Sequence, residues 1–106
     1  MDERERDMLN IETPAVIIDM EQVERNLRRY QQCADLHGCA LRPHTKTHKI
    51  VRLAKMQLEF GAKGVCCAKL SEAEVMAAGG IDDIFVAYPV IGPEKIERFL
   101  ALSRQT

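Results

Sequence analysis

Short apolar runs alternate along this chain with stretches where apolar residues recur at every third or fourth position, the two periods that distinguish strands from helices. Residues 1–12 are charged and aperiodic and read as an N-terminal arm. Pro14 to Ile18 is a β-branched run opened by proline, which predicts an entry strand ending at Asp19. Asp19 and Gln22 have capping-box spacing, and Met20, Val23, Leu27, Tyr30 and Ala34 then fall on one helical face as far as Gly38. Cys39 to Pro43 predicts a second strand. Beyond a polar stretch, Ile50, Val51, Ala54 and Leu58 mark a helix that ends at Gly61. Gly64 to Ala68 is a continuous run of small apolar residues, the pattern of a strand buried on both faces. Ser71 and Glu74 have capping-box spacing ahead of Val75, Met76 and Ala77, and Gly79-Gly80 closes that helix. Asp83 to Tyr88 carries the apolar run Ile84 to Ala87 and predicts another buried strand. Gly92 and Pro93 suit the cap and first turn of a last helix with Ile96, Phe99, Leu100 and Ser103 on its face.

Strand and helix therefore alternate four times, the order of parallel strands joined by crossover helices, and the fold class is α/β. Two architectures share that rhythm: an open doubly wound sheet, and the N-terminal portion of a (β/α)8 barrel, which needs about 250 residues to close. At 106 residues the chain is one small domain, so a closed barrel is excluded and a fragment is the expectation for the second architecture. A hydrophobic fraction of 46% and a charged fraction of 29% are ordinary for a folding domain and exclude a disordered or repeat class. Fifteen Lys+Arg balance 16 Asp+Glu, so no broad basic field is available for nucleic acid. No apolar run is long enough to span a membrane, and the opening MDERERDM lacks the layout of a signal peptide, which makes the cytoplasm the expected location. Cys33, Cys39, Cys66 and Cys67 form no CxxC pair and read as free thiols, the adjacent pair as strand core.

In parallel α/β folds the chemistry gathers at the carboxyl ends of strands. That rule singles out the stretch from Arg42 to Lys49, which brings Arg42, His44, Lys46, His48 and Lys49 together within eight residues. Such a cluster attracts a phosphate or carboxylate, and like-charge repulsion within it favours a neutral, nucleophilic amine of the kind Schiff-base chemistry needs. A solvated basic loop is the plain alternative. His44 and His48 could serve a metal only from one helical turn, and Pro43 places His44 ahead of the helix, so no metal site is assigned. No GxGxxG or GxxxxGK[ST] is present, which removes the main support for a nucleotide-binding domain.

Thr13 to Asp19, Arg42-Pro-His-Thr-Lys-Thr-His-Lys49 and Gly64 to Ile84 together resemble the N-terminal part of the D-threonine aldolase and D-serine dehydratase family, pyridoxal-phosphate enzymes of the alanine racemase fold. The likeness runs from about Ile11 to the C-terminus, and the RPHxKTHK stretch is its specific part. It implies a (β/α)8 barrel whose first strand is Cys39 to Pro43, with the strand at Pro14 to Ile18 belonging to a separate β domain that is incomplete here. The corresponding organisation is residues 1–12 as arm, 13–38 as entry strand and first helix, and 39–106 as the first βα units. By the same resemblance Lys46 forms the internal aldimine with pyridoxal 5'-phosphate, and Lys46, His44 and Arg42 are the cofactor-binding residues of this chain. It implies a lyase acting on small D-amino acids, homodimeric at full length. A divalent metal would contact the substrate's β-hydroxyl through ligands beyond Thr106, and the 106-residue chain alone would be inactive. Some relatives carry Gln where Ala68 stands, which weakens the choice of substrate. Two alternatives keep their place: an amino-acid racemase or non-catalytic pyridoxal-phosphate-binding protein, and a small doubly wound anion-binding module.

Overall fold

The computed structural model describes residues 1–106 and contains five helices and two strands: α1 (Glu3–Leu9), α2 (Met20–Leu36), α3 (Val51–Glu59), β1 (Val65–Cys67), α4 (Leu70–Ala78), β2 (Ile84–Val86) and α5 (Pro93–Ser103). β1 and β2 pair in parallel, Val65 opposite Ile84 and Cys67 opposite Val86, with α4 as the crossover between them. A third parallel element flanks β1 on its other side. Residues 39–44 are too irregular to form a full strand, yet His44 bridges Cys66 in parallel, and the Lys63 and Cys66 N–H groups donate to Leu41 and Pro43 carbonyls at 2.9 and 2.8 Å. Three of the four strand–helix alternations expected from the sequence are therefore present, with the Cys39 to Pro43 strand reduced to two hydrogen bonds and a bridge.

Register divides the side chains of this sheet between two faces. Val65, Cys67, Ile84 and Val86 turn to the helices, where Val65 and Cys67 join Ala54 of α3, Ala73 and Met76 of α4, and Ile81 in a core cluster. Burial of residues such as Val65, Met76 and Ile81 contributes about 1.5–3 kcal/mol each, enough to seat α3 and α4 on the sheet. The opposite face carries three rungs. Arg42, Gly64 and Asp83 form the lowest, His44, Cys66 and Phe85 the middle, and Ala68 and Ala87 the uppermost, at the carboxyl ends. Nothing in the chain covers that second face at β2, so Phe85 is 57% exposed. Asp83 to Tyr88 is thus half-open, where the sequence predicts a buried strand. β1 is buried throughout, as its small-residue run implies.

The N-terminal residues differ from the sequence reading in two ways. The arm contains a helix, α1, nucleated by a capping box in which Asp2 and Glu5 satisfy one another's backbone N–H groups at 2.8 and 2.9 Å. None of its residues is buried, which is why no apolar period announces it. Pro14 to Ile18 is extended but is not a strand, because no neighbouring strand offers it hydrogen bonds, and Val16 is 95% exposed. Asp19 caps α2 as expected, accepting from the Glu21 and Gln22 N–H groups at 3.1 and 3.2 Å. The reciprocal half of that box is absent, since the Gln22 side chain turns along the helix to Asn26 and Arg25. The inner stripe of α2 passes through Gln31 and leaves Tyr30 outside.

Candidate active site

The segment after Pro43 leaves the sheet through a short 3-10 turn at Thr45–Thr47, which sets Lys46 just beyond the carboxyl end of its strand. Most side chains of the basic stretch are committed to shaping this turn. His44 caps it, its Nδ1 accepting the Lys46 N–H at 3.2 Å. Thr45 is buried and donates its hydroxyl to the Cys66 carbonyl at 3.2 Å, with the Cys67 Sγ at 3.6 Å. His48 accepts the Ile50 N–H on Nδ1 at 2.9 Å and meets the Gln57 Oε1 through Nε2 at 3.2 Å. Lys49 closes the turn with a left-handed backbone, φ 57°, its N–H donating to the Thr45 carbonyl at 2.8 Å. Its ammonium lies 3.4 Å from the Glu72 Oε1. Lys46 is exposed, and its side chain makes no hydrogen bond or ion pair.

The sequence groups Arg42 with His44 and Lys46, and the structure separates it from them. Its guanidinium pairs with the Asp83 carboxylate at 2.8 Å and reaches the Val65 and Asp83 carbonyls at 3.3 and 3.4 Å, on the lowest rung. Lys46 lies four residues further on, past the middle rung and inside the 3-10 turn at the rim. The reason is electrostatic: the Arg42 guanidinium holds the Asp83 carboxyl below its ordinary value, and Asp83 in turn raises Arg42. Asp83 lies 41 residues from Arg42 in the chain, so no local motif could announce the pair.

A second missed residue is Glu72. The Ser71/Glu74 spacing points to Ser71 as the cap of α4, but the helix begins at Leu70, its capping residue is Lys69, and no side chain caps it. Glu74 instead pairs with Arg98 of α5. Glu72, the third residue of the helix, reaches back to accept the Ala68 N–H on Oε2 at 3.0 Å. Burial opposes its ionisation, but the Ala68 N–H and the Lys49 ammonium outweigh that and hold its carboxyl below the usual range. Burial likewise pushes the Cys67 thiol up, and all four cysteines are free.

Ala68 and Ala87, the residues that follow β1 and β2, occupy the uppermost rung and bring only methyl groups to it. Along the same rim Ala68, Ser71, Val86, Tyr88 and Lys95 border a pocket of about 360 Å³ between α4 and α5. The arrangement is a primary amine on a braced turn, at the carboxyl end of parallel strands, facing open space. That is what condensation with an aldehyde requires.

Comparison with known proteins agrees with this geometry. The chain is similar to a D-threonine aldolase of Arthrobacter sp., 43% identical over 97 residues, which are 92% of this chain and 26% of that one. The solved D-threonine aldolase of Filomicrobium marinum superposes with a TM-score of 0.88 at 41% identity over 90% of this chain and 26% of its own. D-threo-3-hydroxyaspartate dehydratase from Delftia sp. HT23 superposes with a TM-score of 0.86 at 40% identity over 92% and 26%. The chain thus spans about a quarter of the length of the relatives it matches. The wall of parallel elements is accordingly the opening part of a barrel. The family model described as the alanine racemase N-terminal domain matches residues 18–105, nearly the whole chain, and to that family this chain belongs.

Proposed function

We propose that this chain is the lysine-bearing quarter of a pyridoxal-phosphate-dependent lyase that cleaves small D-amino acids, by aldol cleavage or by loss of water, with Lys46 as the residue that holds the cofactor. One observation carries the assignment: of the five basic residues between Arg42 and Lys49, Lys46 alone has a side chain with no structural partner, and it stands at the carboxyl rim. The residues present fit the aldehyde end of the cofactor, because an exposed amine follows the end of its strand and the uppermost rung carries only two alanines. When bound, pyridoxal phosphate supplies an electron-withdrawing ring that takes up the electron pair released as a bond at the substrate's Cα or beyond breaks. Lys46 would hold the cofactor through its amine and, when freed, would be placed to accept or return a proton at the substrate's Cα. His44 fixes the Lys46 backbone from below, and Arg42 braces the strand that delivers both. Arg42 is committed to Asp83, so the cofactor's phosphate needs other donors.

A divalent metal acting on the substrate's β-hydroxyl belongs to the same reading. No group of three His, Cys, Asp or Glu side chains in this chain is placed to hold one. The four free thiols support a reducing compartment, the cytoplasm. The family's name favours a racemase as second reading, but relatives at 40% identity and above are aldolases and a dehydratase, which supports the lyase. The test is covalent mapping. The full-length protein is loaded with pyridoxal phosphate, reduced with borohydride and digested. The pyridoxyl group should appear on Lys46, and its appearance on Lys49 or elsewhere overturns the assignment.

A further inference from the structure

The Glu72 carboxylate joins two successive loops of the rim. Oε2 accepts the Ala68 N–H at 3.0 Å, at the point where β1 ends, and Oε1 lies 3.4 Å from the Lys49 ammonium, three residues past Lys46. We propose that Glu72, acting through Lys49, is a positioning residue: it ties the turn that carries Lys46 to the carboxyl end of β1 and so fixes where the amine stands. The inference rests on Lys46 being the reactive amine.

Three observations separate this contact from an ordinary surface pair, which would contribute little. First, the Glu72 side chain is only 12% exposed, although Lys49 is 58% exposed, so the carboxylate is held inside and the lysine comes to it. Second, Lys49 adopts the left-handed backbone that favours glycine, and a lysine kept there bears a conformational cost. Glycine would make the same turn without that cost, but without an ammonium to offer Glu72. Third, α4 has no side-chain cap at Lys69, and the carboxylate at its third position reaches back beyond that residue to the Ala68 N–H where β1 ends. The left-handed backbone at Lys49 and the reach of Glu72 both serve the link between the loops. Thr45, buried against Cys66 and Cys67, fixes the near end of the turn; Glu72 fixes the far end.

The test uses the full-length protein with Glu72→Gln, Lys49→Gly and Lys49→Arg. Glutamine keeps an acceptor for the Ala68 N–H but loses the charge; glycine relieves the backbone and loses the ammonium; arginine keeps the pair. The readouts are the rate at which added pyridoxal phosphate becomes trapped on Lys46 by borohydride, and amide exchange across residues 45–50. Glu72→Gln and Lys49→Gly should slow trapping about tenfold or more and speed exchange at the Lys49 amide, as expected when a reacting group is displaced by a fraction of its length. Lys49→Arg should leave both near their wild-type values. Wild-type trapping and exchange in Glu72→Gln and Lys49→Gly overturn the proposal, as does an equal loss in Lys49→Arg. If the wild-type protein carries the label on another lysine, the assignment of Lys46 fails instead. The exchange measurement then still reports whether Glu72 holds the turn.

Discussion

Arg42 and Asp83 show how one residue can be conspicuous in sequence for one reason and placed in the structure for another. Arg42 belongs to the densest basic stretch of the chain, yet its guanidinium serves as a cross-brace on the lowest rung, linking three parallel elements through one carboxylate and two carbonyls. The pair has a pH signature. Arg42 lowers the folded-state value of Asp83 below its ordinary 3.8, so its contribution to stability is present in full above about pH 4 and is lost as the pH falls through the lowered value. Asp83→Asn removes that contribution at every pH. Its thermal midpoint should therefore lie below wild type at neutral pH and fall less steeply below about pH 4. Parallel midpoint curves for the two proteins would show that the pair is not coupled to folding.

At the scale of elements, β1 owes its place to a glycine. A methyl group at Gly64 would lie 2.4 Å from the Asp83 carbonyl oxygen and 2.6 Å from the Arg42 Nη1, so the three parallel segments can approach only with hydrogen at that position. Gly64→Ala should destabilise by about 1–3 kcal/mol, read as a lowered thermal midpoint, because backbone atoms must move to admit the methyl. An unchanged midpoint would mean that the segments slide apart freely. Helices α2 to α5 and their order were legible from apolar spacing, as were the buried run from Gly64 to Ala68, the cap at Asp19, and the Gly92-Pro93 start of α5. Contacts between distant residues were not legible. Ser71 and Glu74 satisfied the capping rule, yet Arg98 and Lys49, each more than twenty residues away, decided which glutamate did what. The edge exposure of Phe85 and the unpaired Pro14 to Ile18 stretch likewise depend on partners that no window of local sequence contains. Lys46 was legible as a position, since strand end and basic density coincide there. The bracing of its neighbours is a tertiary fact.

The whole molecule is a thin wall, 55 × 39 × 20 Å, with a radius of gyration of 16.8 Å where a compact domain of this length would have about 13 Å. Only 11 of 106 residues are buried, and Val16, Phe85, Tyr88, Ile91 and Leu100 stand in the open. A domain that leaves so much apolar surface uncovered is incomplete as a folding unit. Expressed by itself, the chain should self-associate, eluting above its 12.0 kDa on size exclusion with light scattering and binding a hydrophobic dye. It should also fail to retain pyridoxal phosphate, because Arg42 is committed elsewhere and the rim offers the amine without a closed cup around it. A monodisperse monomer that holds the cofactor would refute both expectations. The rungs carry one more consequence, for how such a protein can diverge. Side chains from Leu41 to Thr45 alternate between the helix layer and the open face, so inserting or deleting a single residue ahead of His44 would send His44 into the packed layer and Thr45 out of it. This stretch can change its letters but not its count: parity, more than the identity of any one neighbour, keeps His44 on the open face and Thr45 in the packed layer.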